Sequence, residues 1–218
     1  MSLNEHKHIS NPQILCSAIG DAKSDKTPLQ VTQFESDIRI IEQLTELHLE
    51  GGGGGNGGES YNLLWYFAAE YTRTDALDKH NKKGYLFTIG DDKCHPYLSA
   101  SEIQKIFSKK SKYTLSNEEL VRMAQKKYIV FHIHIETDNP QSNNIFEDWR
   151  RLMPGQSTQI HISNIEYLSD LITAIISTDA TGNVNTVLKE MNQETAEKIS
   201  SSMAFIDLSE KEKNTITF

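Results

Sequence analysis

Carboxylates next to glycines recur where apolar runs stop. Gly20-Asp21 follows the run Ile14 to Ile19, Gly90-Asp91-Asp92 follows Gly84 to Ile89, and Glu136-Thr137-Asp138 follows Tyr128 to Ile135. In open α/β sheets the ligand crevice lies outside the carboxyl ends of the strands, so these loops are where chemistry is expected. Gly51 to Ser60, GGGGGNGGES, carries seven of the chain's twelve glycines between two segments that read as helices. Glycines there can take positive φ and let a ligand or a neighbouring loop approach, and the helix that follows offers free N–H groups. A phosphate cradle is a poor fit, because its lysine is missing and a helix rather than a strand precedes the glycines. The dinucleotide fingerprint fails for the same topological reason.

Other reactive residue types have plainer readings. His132, His134 and Glu136 alternate on one face of a strand, with His161 on a neighbouring one. Zinc could be held by such a set, but a polar or helix-covered sheet face is the better reading. Cys94-His95 could suggest thiol chemistry, yet adjacent side chains rarely point the same way, so a surface loop is expected. Cys16 reads as a buried core residue. Lys109, Lys110 and Lys112 read as a solvated helix end.

The elements that must position these residues follow from periodicity. Ile14 to Ile19 and Gln30 to Phe34 read as a strand hairpin, and Ser36 as the cap of a helix with Ile38, Ile41, Leu44 and Leu47 at helical spacing. Ser60 is the expected cap of a buried helix, Tyr61 to Thr74. Strands are expected at 84–89, at 128–135 and at Thr158 to Ile162, with helices at 101–108, 117–126, 146–152 and 165–177. Strands alternating with helices imply right-handed crossovers and a mostly parallel sheet with one antiparallel edge hairpin, covered on both faces: a three-layer, Rossmann-like α/β fold. The expected organisation is an N-terminal extension at 1–13, an α/β domain at 14–177, and a helical, polar extension at 178–218.

The chain has 218 residues, 37% apolar and 24% charged, with a formal charge of −8. That composition suits a soluble protein, and the charge argues against nonspecific nucleic-acid or anionic-lipid binding. No apolar run approaches the roughly 18 residues of a membrane span, and the polar start lacks a signal peptide's apolar core, so a cytoplasmic location is expected.

The order of pieces resembles the von Willebrand factor type A (VWA) family, particularly its bacterial intracellular members, over about Ile14 to Ser177. The resemblance rests on a hairpin, a helix, a Gly-Gly-rich loop opening a buried helix, and a strand ending in Gly-Asp. It implies a protein-binding module that holds a divalent ion, usually magnesium, on three loops, an adhesion-type (MIDAS-like) site suited to hard oxygen ligands. Asp91 matches the third loop. In the second loop, Asn56, Glu59 and Ser60 align with a bacterial Asp and Glu-Ser, and Gly57 stands where a threonine would touch metal. The first loop, Asp-x-Ser-x-Ser after a central strand, does not precede Ile14. Asp207-Leu-Ser209 and Asp179-Ala-Thr181 are candidate substitutes, and a fragment of a longer product is the other explanation.

The resulting expectation is a non-catalytic, VWA-like binding module that engages a protein partner through strand-end loops containing Asp21, Gly57, Gly58, Glu59 and Asp92. Its magnesium site would be weakened, with Asp91, Asn56, Ser60, Asp207 and Ser209 as candidate ligands. Two alternatives stand beside it: a magnesium-dependent, hydrolase-like α/β enzyme using Asp21 or Asp91, and a fragment that self-associates through exposed sheet edges. The missing grouping of base, nucleophile and phosphate-gripping lysine at the strand ends favours the binding module over the enzyme.

Overall fold

A computed structural model describes residues 9, 12–50 and 57–208. The chain divides into two compact units, one of residues 1–10, 89–91 and 131–218, the other of 11–88 and 92–130.

The second unit begins with the antiparallel hairpin β1 (Ser17–Ile19) and β2 (Leu29–Val31), in which Ala18 faces Gln30. The hairpin forms a sheet of its own rather than an edge of the parallel sheet. α1 (Arg39–Thr45) follows and buries none of its residues. Its N-cap is Ile38 and makes no side-chain cap bond, so Ser36 is not the cap the sequence suggests. α2 (Asn62–Tyr71) is the opposite case, with Leu63, Leu64, Trp65 and Tyr66 all buried. α3 (Asp75–His80) starts where the Thr74 side chain accepts from Leu77 N. β3 (Gly84–Gly90) comes next, and β4 (Tyr97–Leu98) pairs antiparallel with β5 (Leu115–Ser116). α4 (Ala100–Phe107) and α5 (Asn117–Ala124) each open with a reciprocal capping box, Ser99 with Glu102 and Ser116 with Glu119. Helices α2 and α5 pack together, burying Leu120, Val121 and Ala124.

In the first unit, β6 (Tyr128–Glu136) runs parallel to β7 (Ser157–His161), pairing His132 with Ser157 and Glu136 with His161. With β3 they make a three-stranded parallel sheet in the order β3-β6-β7, and β3 and β6 have residues in both units. α6 (Ser142–Leu152) lies between β6 and β7 in sequence. After β7 come a 3-10 helix (Ile162–Tyr167), α7 (Leu168–Thr181), α8 (Val184–Glu190) and α9 (Gln193–Met203).

Neighbouring residues on a strand point to opposite faces, and β7 uses both. Ser157 Oγ donates to the Trp149 carbonyl of α6 at 3.0 Å, whereas Thr158 Oγ1 donates to the Ser202 carbonyl of α9 at 2.6 Å. Helices therefore cover both faces, which is the three-layer arrangement. Phe131, Ile133, Ile160, Leu171, Ile175, Ile199 and Met203 form this unit's apolar core.

Candidate functional site

The loop after β1 and the end of the glycine-rich segment meet the loop after β3 inside the second unit. Asp21 is 1% exposed, Ser60 2% and His95 5%, so three polar side chains are buried together. Burying a carboxylate is unfavourable unless hydrogen bonds replace its water. Asp21 Oδ1 accepts from Lys23 N at 3.0 Å and Ser60 Oγ at 3.4 Å, and it lies 2.8 Å from His95 Nε2. Asp21 Oδ2 accepts from Ser24 Oγ at 3.2 Å. The other ring nitrogen, His95 Nδ1, faces Lys23 Nζ at 3.1 Å. Lysine only donates, so Nδ1 accepts and Nε2 carries the hydrogen directed at Asp21.

Backbone pairing holds the three loops in register. Glu59 N donates to Lys93 O at 2.9 Å and His95 N to Glu59 O at 3.0 Å, a parallel bridge of Glu59 with Cys94. Ser60 N donates to Gly20 O at 3.3 Å, and Ala22 N to Ser60 Oγ at 2.9 Å. Ser60 is thereby drawn to the first loop and does not cap α2, whose N-cap is Tyr61 without a side-chain bond. The His95 carbonyl accepts from Asn117 Nδ2 at 2.8 Å and Asn62 Nδ2 at 3.3 Å, fixing the loop to the starts of α2 and α5. Gly57 takes φ +73°, a conformation that favours glycine, and a Cβ on Gly58 would lie 3.0 Å from His95 Nδ1. These two glycines are needed for close approach.

The cluster contains a serine, a histidine and an aspartate, but not in the order of a nucleophile relay. There the histidine stands between serine and aspartate and takes the serine proton. Here Asp21 stands between Ser60 and His95, and neither ring nitrogen of His95 faces Ser60. What the arrangement does is lock three loops in one conformation. Magnesium needs oxygen ligands whose lone pairs are directed at the ion. The oxygens of Asp21 and Ser60 are directed at one another and at backbone and side-chain donors, so this cluster does not fit the ion.

The remaining candidates are distributed as follows. Asn56 and Ser209 lie outside the described residues. Asp91 is exposed at the end of β3, and its charge acts on His134. Asp92 Oδ1 accepts from Lys93 N at 2.7 Å. Asp207 is exposed beyond α9, its N–H bonded to Gly155 O at 3.0 Å, and Asp179 lies inside α7 rather than in a strand-end loop. Among the described residues no group of three or more His, Cys, Asp and Glu side chains could hold a metal ion.

Two cysteine readings change. Cys16 is half-buried rather than core, and burial raises its thiol pKa. Cys94 lies within reach of Asn117 Oδ1 at 3.7 Å, and burial pushes its thiol up to about 12, so Cys94-His95 is not a surface loop. The histidines of β6 are helix-covered as expected. His132 and His134 are both 0% exposed; His132 stacks on Trp149 with ring centres 3.5 Å apart, and His134 Nε2 lies 2.9 Å from Ser142 Oγ.

The sequence reading missed His95 as the hub of the cluster. One signal was available: a buried-looking strand ending in Gly-Asp requires a partner for its carboxylate, and a loop following another strand is where to seek it.

No family model matches the chain, and neither the curated proteins nor the solved structures give a match. Among the described residues no helix is long and apolar enough to cross a membrane.

Proposed function

We propose that the chain is a non-catalytic binding module, VWA-like in the order of its elements, that presents the loops at 20–25, 57–60 and 92–95 to a protein partner. The observation that carries this reading is the buried Asp21–His95 pair, which with Ser60 joins all three loops. Loops ordered before binding lose little conformational entropy when a partner arrives, which favours recognition. In this reading the shape of an adhesion-type site is kept while its oxygens serve internal hydrogen bonds, and no magnesium step is required.

The test places a photo-crosslinking amino acid at Lys23, Asp92 or Lys93, and at Glu190 on α8 as a control, in the full chain expressed in cells. A single protein crosslinked from the loop positions and absent from the control supports the module. Equal crosslinking at all positions refutes it. Hydrolysis of p-nitrophenyl phosphate or acetate that is lost in Asp21→Asn would favour the enzyme instead.

A further inference from the structure

Half of the exposed large hydrophobic residues among those described fall between 14 and 49: Ile14, Val31, Ile38, Ile41, Leu44 and Leu49. Ile38 is 70% exposed and Ile41 53%, on a seven-residue helix with no buried residue. Isolated helices shorter than about 12–15 residues are marginal in water and depend on packing of an apolar face. The polar side of α1 is tied to the hairpin, since Gln43 Oε1 accepts from Gln33 N at 2.6 Å. The apolar face has no such cover.

Charge indicates what covers it. Residues 35–50 carry Glu35, Asp37, Glu42, Glu46 and Glu50 against Arg39 alone, and Glu42 and Glu46 have no cationic partner among the described residues. In the same unit, residues 103–117 carry Lys105, Lys109, Lys110 and Lys112 and no acidic residue. Lys109 pairs with Glu70, while Lys105, Lys110 and Lys112 are exposed without a carboxylate partner among the described residues. This basic surface is also aromatic. Tyr113 is 73% exposed, and Tyr71, 45% exposed, stacks on Phe107 at 5.3 Å. No hydrogen bond, ion pair or ring contact joins the two surfaces within one chain among the described residues.

We propose that the acidic, apolar face of α1 docks on the Lys105 to Tyr113 surface of a second copy of this chain. Two different patches meet, so the contact is heterologous: each copy keeps one free surface of each kind, and assembly runs head to tail into open chains. Lysines beside Glu42 and Glu46 steer the encounter, while Ile38, Ile41 and Leu44 cover the exposed tyrosines.

Sedimentation velocity on the full chain tests this at about 10 µM to 1 mM protein. At about 50 mM salt the average mass should rise with concentration above the 24.7 kDa of one chain, and about 500 mM salt should weaken association at least tenfold. Ile41→Ser with Leu44→Ser removes one surface, and Lys110→Glu with Lys112→Glu removes the other. Each variant alone should be monomeric, and their equimolar mixture should form a 1:1 pair and nothing larger. All four positions are exposed, so circular dichroism should show both variants folded. A wild-type chain that is monomeric throughout, association that survives in either variant, or a mixture that stays monomeric would each overturn the proposal. So would a lysine surface that instead captures an oligo(dT) strand.

Discussion

Acid should loosen this fold at His132 before it reaches the carboxylates. The ring is 0% exposed and stacked on Trp149, and burial, followed by the neighbouring His134, holds its pKa well below the ordinary 6.5. His134 is also lowered by burial, although Asp91 and Glu136 pull the other way. The unfolded chain therefore binds protons at these positions at a pH where the folded chain does not. Stability is present above the unfolded pKa and is lost as the pH falls through it. For a histidine that stays neutral while folded, lowering the pH from about 7.5 to about 5.5 removes roughly 1.4 kcal/mol. The assay is urea unfolding of wild type and His132→Gln across that range. Carboxylates contribute equally to both proteins, so the wild type should lose about 1.4 kcal/mol more than the variant. Parallel pH profiles would refute the reasoning.

Other consequences can be checked by thermal or urea unfolding. His95→Ala leaves Asp21 buried beside a void, and loss of one partner of a buried pair should cost roughly 3 kcal/mol; an unchanged midpoint would remove His95 as the hub. Gly58→Ala drives a methyl toward His95 Nδ1 and the Lys93 carbonyl and should destabilise by about 1–3 kcal/mol, an effect smaller in a His95→Ala background. Trp149→Ala should cost about 3–5 kcal/mol, since the ring is 2% exposed and covers His132. Magnesium at millimolar concentration should leave the melting temperature unchanged, and a rise that Asp91→Ala abolishes would restore the metal reading.

Periodicity made the helices and the long strands legible, because apolar repeats record which face is buried. Tyr128 to Glu136 stands out by its β-branched and aromatic content, and the Ser99 and Ser116 capping boxes can be read directly. α3 was not legible, since it buries no residue and leaves no apolar repeat. The two-residue strands β4 and β5 are too short to show a period. Ser60 misled for a specific reason. Its type and position suit a helix cap, but its hydroxyl bonds Ala22 N, which is 38 residues away in sequence. The loop cluster was half legible: Asp21, Gly57, Gly58 and Glu59 were identified from strand ends and glycines, whereas His95 depends on a contact 74 residues long.

The buried Cys94 thiol gives the chain a practical asymmetry. With its pKa near 12, only about one molecule in ten thousand or fewer carries the thiolate there at neutral pH, so it scarcely reacts with alkylating reagents. The only other cysteine, Cys16, is half-buried beside the hairpin. A maleimide dye should therefore report one label per native chain and two after denaturation. Cys16 thus offers an attachment point two residues from β1 and close to the α1 surface in sequence, and no engineered cysteine is needed to use it.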